Sequence, residues 1–303
     1  MRIGVDLGGS KIELLALDDQ GVETKRFRQP TPQGDYDATI QTIADMVHRT
    51  ESDLGLSCSV GIATPGAISP ASGLMKNSNS TCLNDRPLQR DLETALNRPL
   101  RLANDADCFA LSEASDGAAA GAGSVFGVIV GTGTGAGIVI DGKLLSGPNA
   151  IAGEWGHNPL PWPRDDERPG APCYCGQSGC IETWLSGPGM AANHERQTAE
   201  SLTSEQIIAA ARAGSPGSVH SLNDYVDRMA RALASVINLL DPEVIVLGGG
   251  MSNIDELYFR VPDQWQRYVF SDRVDTRLVK NRHGDSSGVR GAAWLWPGMN
   301  HAA

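Results

Sequence analysis

One pattern occurs twice in this chain and limits what it can fold into. Residues 4–19 read GVDLGGSKIELLALDD and residues 127–142 read GVIVGTGTGAGIVIDG. Each copy is an apolar run, a glycine-rich turn carrying hydroxyls, a second apolar run and an acidic turn. Short apolar runs bounded by glycine are strands, so each copy predicts a β-hairpin or meander. Two copies so far apart mark a repeated supersecondary unit and exclude a short-period solenoid.

Between the copies, Tyr36, Ile40, Ile43 and Val47 share one face of a helix. Residues 59–63 predict a buried strand ending in Thr64-Pro65-Gly66, and Leu88, Leu92 and Leu96 a short helix. A strand at 99–102 then leads to a helix over 105–120. In the second copy 131–137 reads as the turn and 138–140 as the strand. The clearest helix covers 225–240, followed by strand 244–247 and Gly248-Gly249-Gly250. The segment AAAGAG at 118–123 predicts a hinge between two halves, and 160–172, rich in Pro, Asp and Arg, an exposed loop.

Composition narrows the function. With 303 residues, 41% hydrophobic content and 35 glycines, the chain suits an α/β protein of two domains. A formal charge of −11 without a basic run argues against nucleic acid as partner. No apolar run reaches the roughly 18 residues of a membrane span, so no membrane partner is expected. Asp6 interrupts the first apolar run, so no secretory signal is expected. Cys58, Cys82 and Cys108 are scattered singly, as in a reducing cytoplasm. The expected location is cytoplasmic.

A glycine turn between strands leaves backbone N–H groups free and lets another group approach, which suits phosphate oxygens. Each turn alone also reads as a tight hairpin. Ser10 in one, and Thr132 and Thr134 in the other, add matching hydroxyls. Neither turn has the Walker A or the dinucleotide-binding spacing. Lys11 either approaches a phosphate or is a solvated strand end. Asn104 and Asp105 stand where strand meets helix. They read as an N-cap, or as a general base (Asp105) with a neighbour that holds a hydroxyl.

Cys173, Cys175 and Cys180 lie within eight positions, with Gly176 and Gly179 among them. His157 in GEWGH, sixteen residues upstream, is the candidate fourth ligand, and Cys3His is a closed, tetrahedral structural zinc set. A redox or disulfide pair is the competing reading. Glu154 and Glu182 flank the knuckle, and two carboxylates with a histidine suit a ligand made of hydroxyls, a sugar.

The paired glycine hairpins resemble the phosphate clasp of the actin and hexokinase superfamily. More closely, the chain resembles the ROK family of repressors, open reading frames and kinases over essentially its whole length. DLGGSK, TPGAIS at 64–69, LANDADC at 102–108, GTGTGAGI at 131–138, GEWGH and CYCGQSGCIE carry the likeness. NSNSTCLND at 77–85, GHNPLPW at 156–162 and HGDSSGVRGAAWLWP at 283–297 are similar to bacterial fructokinases of the manno(fructo)kinase type. N-acetylglucosamine kinases are the neighbouring alternative.

The resemblance implies an α/β, two-domain actin/hexokinase-like ATPase (ribonuclease H-like) fold with a cleft between domains. The small domain would comprise 1–117 plus about 288–303, and the large one, with the zinc knuckle, 118–287. It implies transfer of the γ-phosphate of ATP to the 6-hydroxyl of fructose, with Asp105 as base. Gly66, Asn79, Asn104, Asp105, Glu154, His157 and Glu182 would bind the sugar. Asp6 would hold Mg2+, with Gly8, Gly9, Ser10 and Lys11 at the phosphates. Gly131, Thr132, Gly133, Thr134 and Gly135 would form the second phosphate contact, and Gly248, Gly249 and Gly250 the nucleoside pocket. His157, Cys173, Cys175 and Cys180 match the family's zinc ligands, and a homodimer is expected. A sugar-sensing repressor would need an N-terminal helix-turn-helix, and the first strand already begins at Ile3. An actin-like filament ATPase leaves the knuckle unused.

Overall fold

Strand alternation decides how the first sheet is covered. In IELLAL, Ile12, Leu14 and Ala16 point to one face and Leu15 and Leu17 to the other, and all are buried. Both faces of this sheet must therefore carry helices. A computed structural model of the chain describes residues 1–284 and 287–296. The described residues divide into two units, 1–121, 137–152 and 287–296 in the first, and 122–136 and 153–284 in the second.

The chain opens with a meander of β1 (Arg2–Leu7), β2 (Lys11–Leu17) and β3 (Glu23–Pro30). Helix α1 (Tyr36–Leu54) starts where the Asp35 side chain accepts the Ala38 N–H, and stops at Gly55 in the left-handed region. Strand β4 (Ser59–Thr64), the short hairpin β5 (Ala67–Ile68) and β6 (Met75–Lys76), helix α2 (Leu88–Leu96), β7 (Arg101–Asn104) and α3 (Asp105–Ser115) follow. The first sheet runs β3-β2-β1-β4-β7, with β4 parallel to β1 and to β7. One core packs its Ile12 face with Ile43 and Val47 of α1 and Leu88 and Leu92 of α2.

Strands β8 (Ser124–Val130), β9 (Thr134–Ile140) and β10 (Lys143–Leu144) lead into a long segment with little regular structure. Helices α4 (Glu182–Leu185), α5 (Gly187–Thr198), α6 (Ser204–Arg212) and α7 (Pro216–Leu240) come next, then β11 (Val244–Gly248), α8 (Leu257–Trp265), β12 (Arg277–Lys280) and α9 (Ser287–Trp294). The second sheet runs β10-β9-β8-β11-β12. In both sheets the spatial order is third, second, first, fourth and fifth strand, so the repeat seen in sequence is a repeat of topology.

Helix α9 belongs to the first unit because three glycines let backbone meet backbone. A Cβ on Gly4 would lie 2.0 Å from the Val289 carbonyl oxygen, and one on Gly61 1.9 Å from that of Ala292. On the helix side, a Cβ on Gly291 would lie 1.7 Å from the Cys108 carbonyl oxygen of α3. Val289 and Ala293 then cover Leu15 and Leu17.

Three expectations are corrected. The second glycine turn is only 131–133, because β9 begins at Thr134. Gly137 serves packing instead of turning: a Cβ there would lie 2.7 Å from the Ala106 carbonyl oxygen of α3. Helix α3 ends at Ser115, where the Glu113 carboxylate takes the Ala118 N–H at 2.8 Å. The division expected at 117/118 also differs, since residues 137–152 group with the first unit. Of the fructokinase-like segment 283–297, residues 285, 286 and 297 lie outside the described residues, as do 298–303 of the expected small domain.

Candidate active site

In the first unit the expected residues gather at the carboxyl ends of parallel strands. Asp6 on β1 is level with Ala63 on β4, and Ala63 with Ala103 on β7. Asp6, Thr64 and Asn104 thus finish three adjacent strands, the place where open α/β sheets bind ligands. Asn104 caps α3, its side chain accepting the Asp107 N–H at 2.6 Å. Asp105 is the first residue of that helix, and its carboxylate accepts the Ala106 N–H at 2.8 Å. Asp105 touches solvent, yet the protein packed around it disfavours the charge and raises its pKa above the usual carboxylate range. Crowding acts on Asp6 too. Removal from water, then the charges of Asp105 and Glu13, push it up to about 6.

The first glycine turn is closed by Gly8 N–H donating to the Lys11 carbonyl at 3.0 Å. Thr31 braces it twice, its hydroxyl donating to the Gly8 carbonyl at 2.7 Å and its N–H to that of Ser10 at 3.1 Å. Gly9, Ser10 and Lys11 are exposed. Beside the turn lies a cavity of about 420 Å³ to which Gly9, Thr31, Asn79 and Ser80 contribute. The structure therefore brings Asn79 to the first glycine turn. Asn104 lines a different and larger cavity, about 830 Å³, with Thr64 and Asp107. Gly66 has φ +83°, and a Cβ there would lie 2.5 Å from the Lys76 carbonyl oxygen, so only glycine fits against the β6 end.

The second unit holds the other group. Gly131 N–H donates to the Gly133 carbonyl at 2.9 Å, and Thr132 at the tip is exposed. The Thr134 N–H donates to Glu182 at 2.8 Å, so this carboxylate steadies the glycine turn. Thr134 itself is buried, and its hydroxyl has no partner among the described residues. Gly135 follows within β9. Gly248 ends β11 level with Ile129 of β8. Gly249 has φ +76°, and a Cβ there would lie 2.4 Å from the Val130 carbonyl oxygen. Gly250 faces open space, and with Gly131 and Thr132 it contributes to a cavity of about 550 Å³.

Gly156 seats the GEWGH segment, since a Cβ there would lie 2.0 Å from the Thr134 carbonyl oxygen. Trp155 is buried and donates to the Ala232 carbonyl at 3.3 Å, which leaves Glu154 exposed and His157 half-buried. The knuckle hairpin is pinned by Cys173 N–H to Gln177 at 2.8 Å and Gly179 N–H to Ala171 at 2.9 Å. At its base Leu160 N–H donates to the Gly179 carbonyl at 3.0 Å and Ile181 N–H to the Asn158 carbonyl at 2.8 Å. His157 Nδ1 and the sulfurs of Cys173, Cys175 and Cys180 all lie within 4.8 Å of one another. Cys173–His157 and Cys175–Cys180 are 3.6 Å apart, close to the ligand–ligand edge of about 3.7 Å that tetrahedral zinc with 2.3 Å bonds to sulfur requires. Burial, with hydrogen bonds from the neighbouring thiols, pushes Cys180 up to about 12. Three thiols this close need a cation before they ionise together, so the donor set fits zinc.

A family model described as the ROK family matches residues 2–299. The chain belongs to the ROK family. It is 39% identical over 299 residues to the N-acetyl-D-glucosamine kinase of Vibrio cholerae, covering 97% of this chain and 99% of that one. Among solved structures it superposes on a ROK hexokinase from Thermus thermophilus with TM-score 0.86 at 30% identity, covering 97% and 96% of the two chains. A ROK glucokinase from Streptomyces griseus, solved with glucose and AMPPNP, gives TM-score 0.74 at 27% identity, covering 97% and 98%. The fold is that of the two-domain actin/hexokinase-like ATPases. Among the described residues no helix is long and apolar enough to cross a membrane.

Sequence reasoning missed three features of this ROK protein. Thr31 stands beside the first glycine turn with no motif to announce it, and Ser80 lies there within NSNSTCLND without having been singled out. The 160–172 segment, expected to be exposed, buries Glu167 because Arg228 and Arg231 of α7 bind it at 2.8 Å each. Tyr174 holds the free nitrogen of His157, Nε2, at 2.9 Å. The resemblance implied only that His157 would bind sugar and zinc. The position of Tyr174 between two cysteines of the cluster is the signal that could have found it.

Proposed function

We propose that this protein is an ATP-dependent sugar kinase whose substrate is N-acetyl-D-glucosamine. The observation that carries the chemistry is the pairing of Asp105, at the head of α3, with Asp6 at the end of β1, two carboxylates held above their usual pKa. A kinase for a hydroxyl needs one carboxylate to take the proton and another to anchor the cation that accompanies ATP. Likeness to the Vibrio kinase over nearly the whole chain supports the sugar. Fructose, implied by the resemblance of three sequence segments, is the second reading.

In this account Asp105 accepts the proton of the sugar's 6-hydroxyl as that oxygen attacks the γ-phosphorus. The bond to the bridging oxygen breaks and ADP leaves. The crowding that raises the pKa of Asp105 makes it a stronger base than an ordinary carboxylate. The backbone N–H groups of the turns at Gly8–Lys11 and Gly131–Gly133, other than those of Gly8 and Gly131 that close them, receive phosphate oxygens, and the cavity beside Gly250 takes the nucleoside. Gly66, Asn79, Asn104, Glu154, His157 and Glu182 orient the sugar. Asp6 would hold Mg2+, which supplies charge neutralisation at the phosphates. His157, Cys173, Cys175 and Cys180 would hold zinc, which braces the loop that carries Glu154 and Glu182.

A coupled ADP-release assay across N-acetylglucosamine, glucose, mannose and fructose tests this. N-acetylglucosamine is expected to give the highest kcat/KM. A preference for fructose would move the substrate to the second reading, and ADP release with none of the four would overturn the kinase reading.

A further inference from the structure

His157 is engaged on both sides. Nδ1 stands 3.6 Å from the Cys173 sulfur within the four-ligand cluster, and Nε2 lies 2.9 Å from the Tyr174 hydroxyl. The two rings meet edge to face, centroids 5.0 Å apart at 88°. An imidazole whose Nδ1 lone pair faces a metal keeps its proton on Nε2, so Nε2–H donates to the Tyr174 oxygen.

That N–H is the donor which the sugar reading assigns to a substrate hydroxyl. We propose that Tyr174 gates the sugar site: its hydroxyl holds the His157 bond that a sugar hydroxyl takes over on binding. This rests on the sugar-kinase reading above. Tyr174 is 83% exposed, so swinging it aside uncovers little apolar surface. Its hydrogen bond is a competitor that substrate displaces, and a competitor for the binding-competent state lowers apparent affinity by the fraction it occupies. The gate acts before chemistry and sets KM, while the rate of phosphoryl transfer once sugar and ATP are bound does not depend on it. Tyr174 is thus a specificity-determining residue that favours sugars able to offer a good acceptor to His157.

Tyr174→Phe keeps the ring and removes the hydroxyl. KM for the phosphorylated sugar is expected to fall about three- to tenfold, the value of one displaced hydrogen bond, with kcat within twofold of wild type. Tyr174→Ala, which removes the ring as well, is expected to change KM in the same direction. Zinc per chain, measured first, is expected at the wild-type level in both. A KM that rises or stays fixed in Tyr174→Phe with zinc retained overturns the gate, and loss of zinc in both variants does so too, by making Tyr174 a brace for the knuckle. Absence of turnover in the wild type overturns the kinase reading instead. Sugar Kd by calorimetry then tests the gate by the same direction of change.

Discussion

Asn104 and Asp105 are neighbours that the sequence reads alike, as residues that start helices. Asn104 does cap α3 through its side-chain oxygen. Asp105 accepts instead from the N–H of the next residue, within the first turn. Sequence supplied the pair but could not separate the two duties, because capping and catalysis use the same residue types and differ in where one oxygen points. The raised pKa of Asp105 has a consequence for stability. A carboxyl raised in the fold binds its proton more tightly there than in the unfolded chain. Its contribution is therefore complete below the unfolded value and lost as pH rises through the folded one. At neutral pH the ionised group opposes folding, so Asp105→Asn is expected to melt at or above the wild-type temperature when no ligand is present. Scanning calorimetry near pH 7.5 checks this, and a lower melting temperature would show that Asp105 is a structural cap.

The segment between β10 and α4 is the least legible element. It lacks periodicity, and its proline and charge content suggested exposure. A buried anchor is Glu167, whose carboxylate accepts from Arg228 and from both terminal nitrogens of Arg231 at 2.8–2.9 Å. Arg164 joins at 3.1 Å and itself reaches Asp224 at 3.0 Å. The cluster ties the segment that leads to the knuckle onto α7. Such pairing between a loop and a helix about 60 residues away cannot be read from local pattern. Although burial opposes the charge, the arginines win and hold Glu167 down to about 2. A depressed carboxylate stabilises the fold fully above its unfolded value, near 4.5, and that stability is lost as pH falls toward about 2. The difference is worth on the order of 3 kcal/mol. Glu167→Gln leaves buried guanidinium groups unpaired and is expected to cost about 3–5 kcal/mol in urea unfolding at pH 7. The deficit should shrink as pH is lowered from 5 toward 3, and a deficit that grows in that range would contradict the assignment.

At the scale of the molecule, the doubled hairpin was legible and proved to be a doubled sheet order. The glycine turns, the His157 and cysteine cluster and the Asn-Asp pair at the head of α3 were legible because each rests on short sequence patterns. The return of α9 to the first unit was implied only by resemblance, since the glycines that admit it, Gly4, Gly61 and Gly291, look like any others in a glycine-rich chain. Gly61→Ala places a methyl against the Ala292 carbonyl and is expected to cost about 1–3 kcal/mol by displacing α9. Unfolding midpoints check this, and an unchanged midpoint would mean that α9 contributes little to holding the first unit. The central claim, that this ROK protein is a sugar kinase with Asp105 as its base, is tested most directly on Asp105→Asn. Turnover is measured by ADP release, and sugar binding by calorimetry on the same preparation. The account predicts sugar affinity near wild type with turnover reduced by about 10²–10⁴. Turnover within a few-fold of wild type, with the sugar still bound, would contradict it.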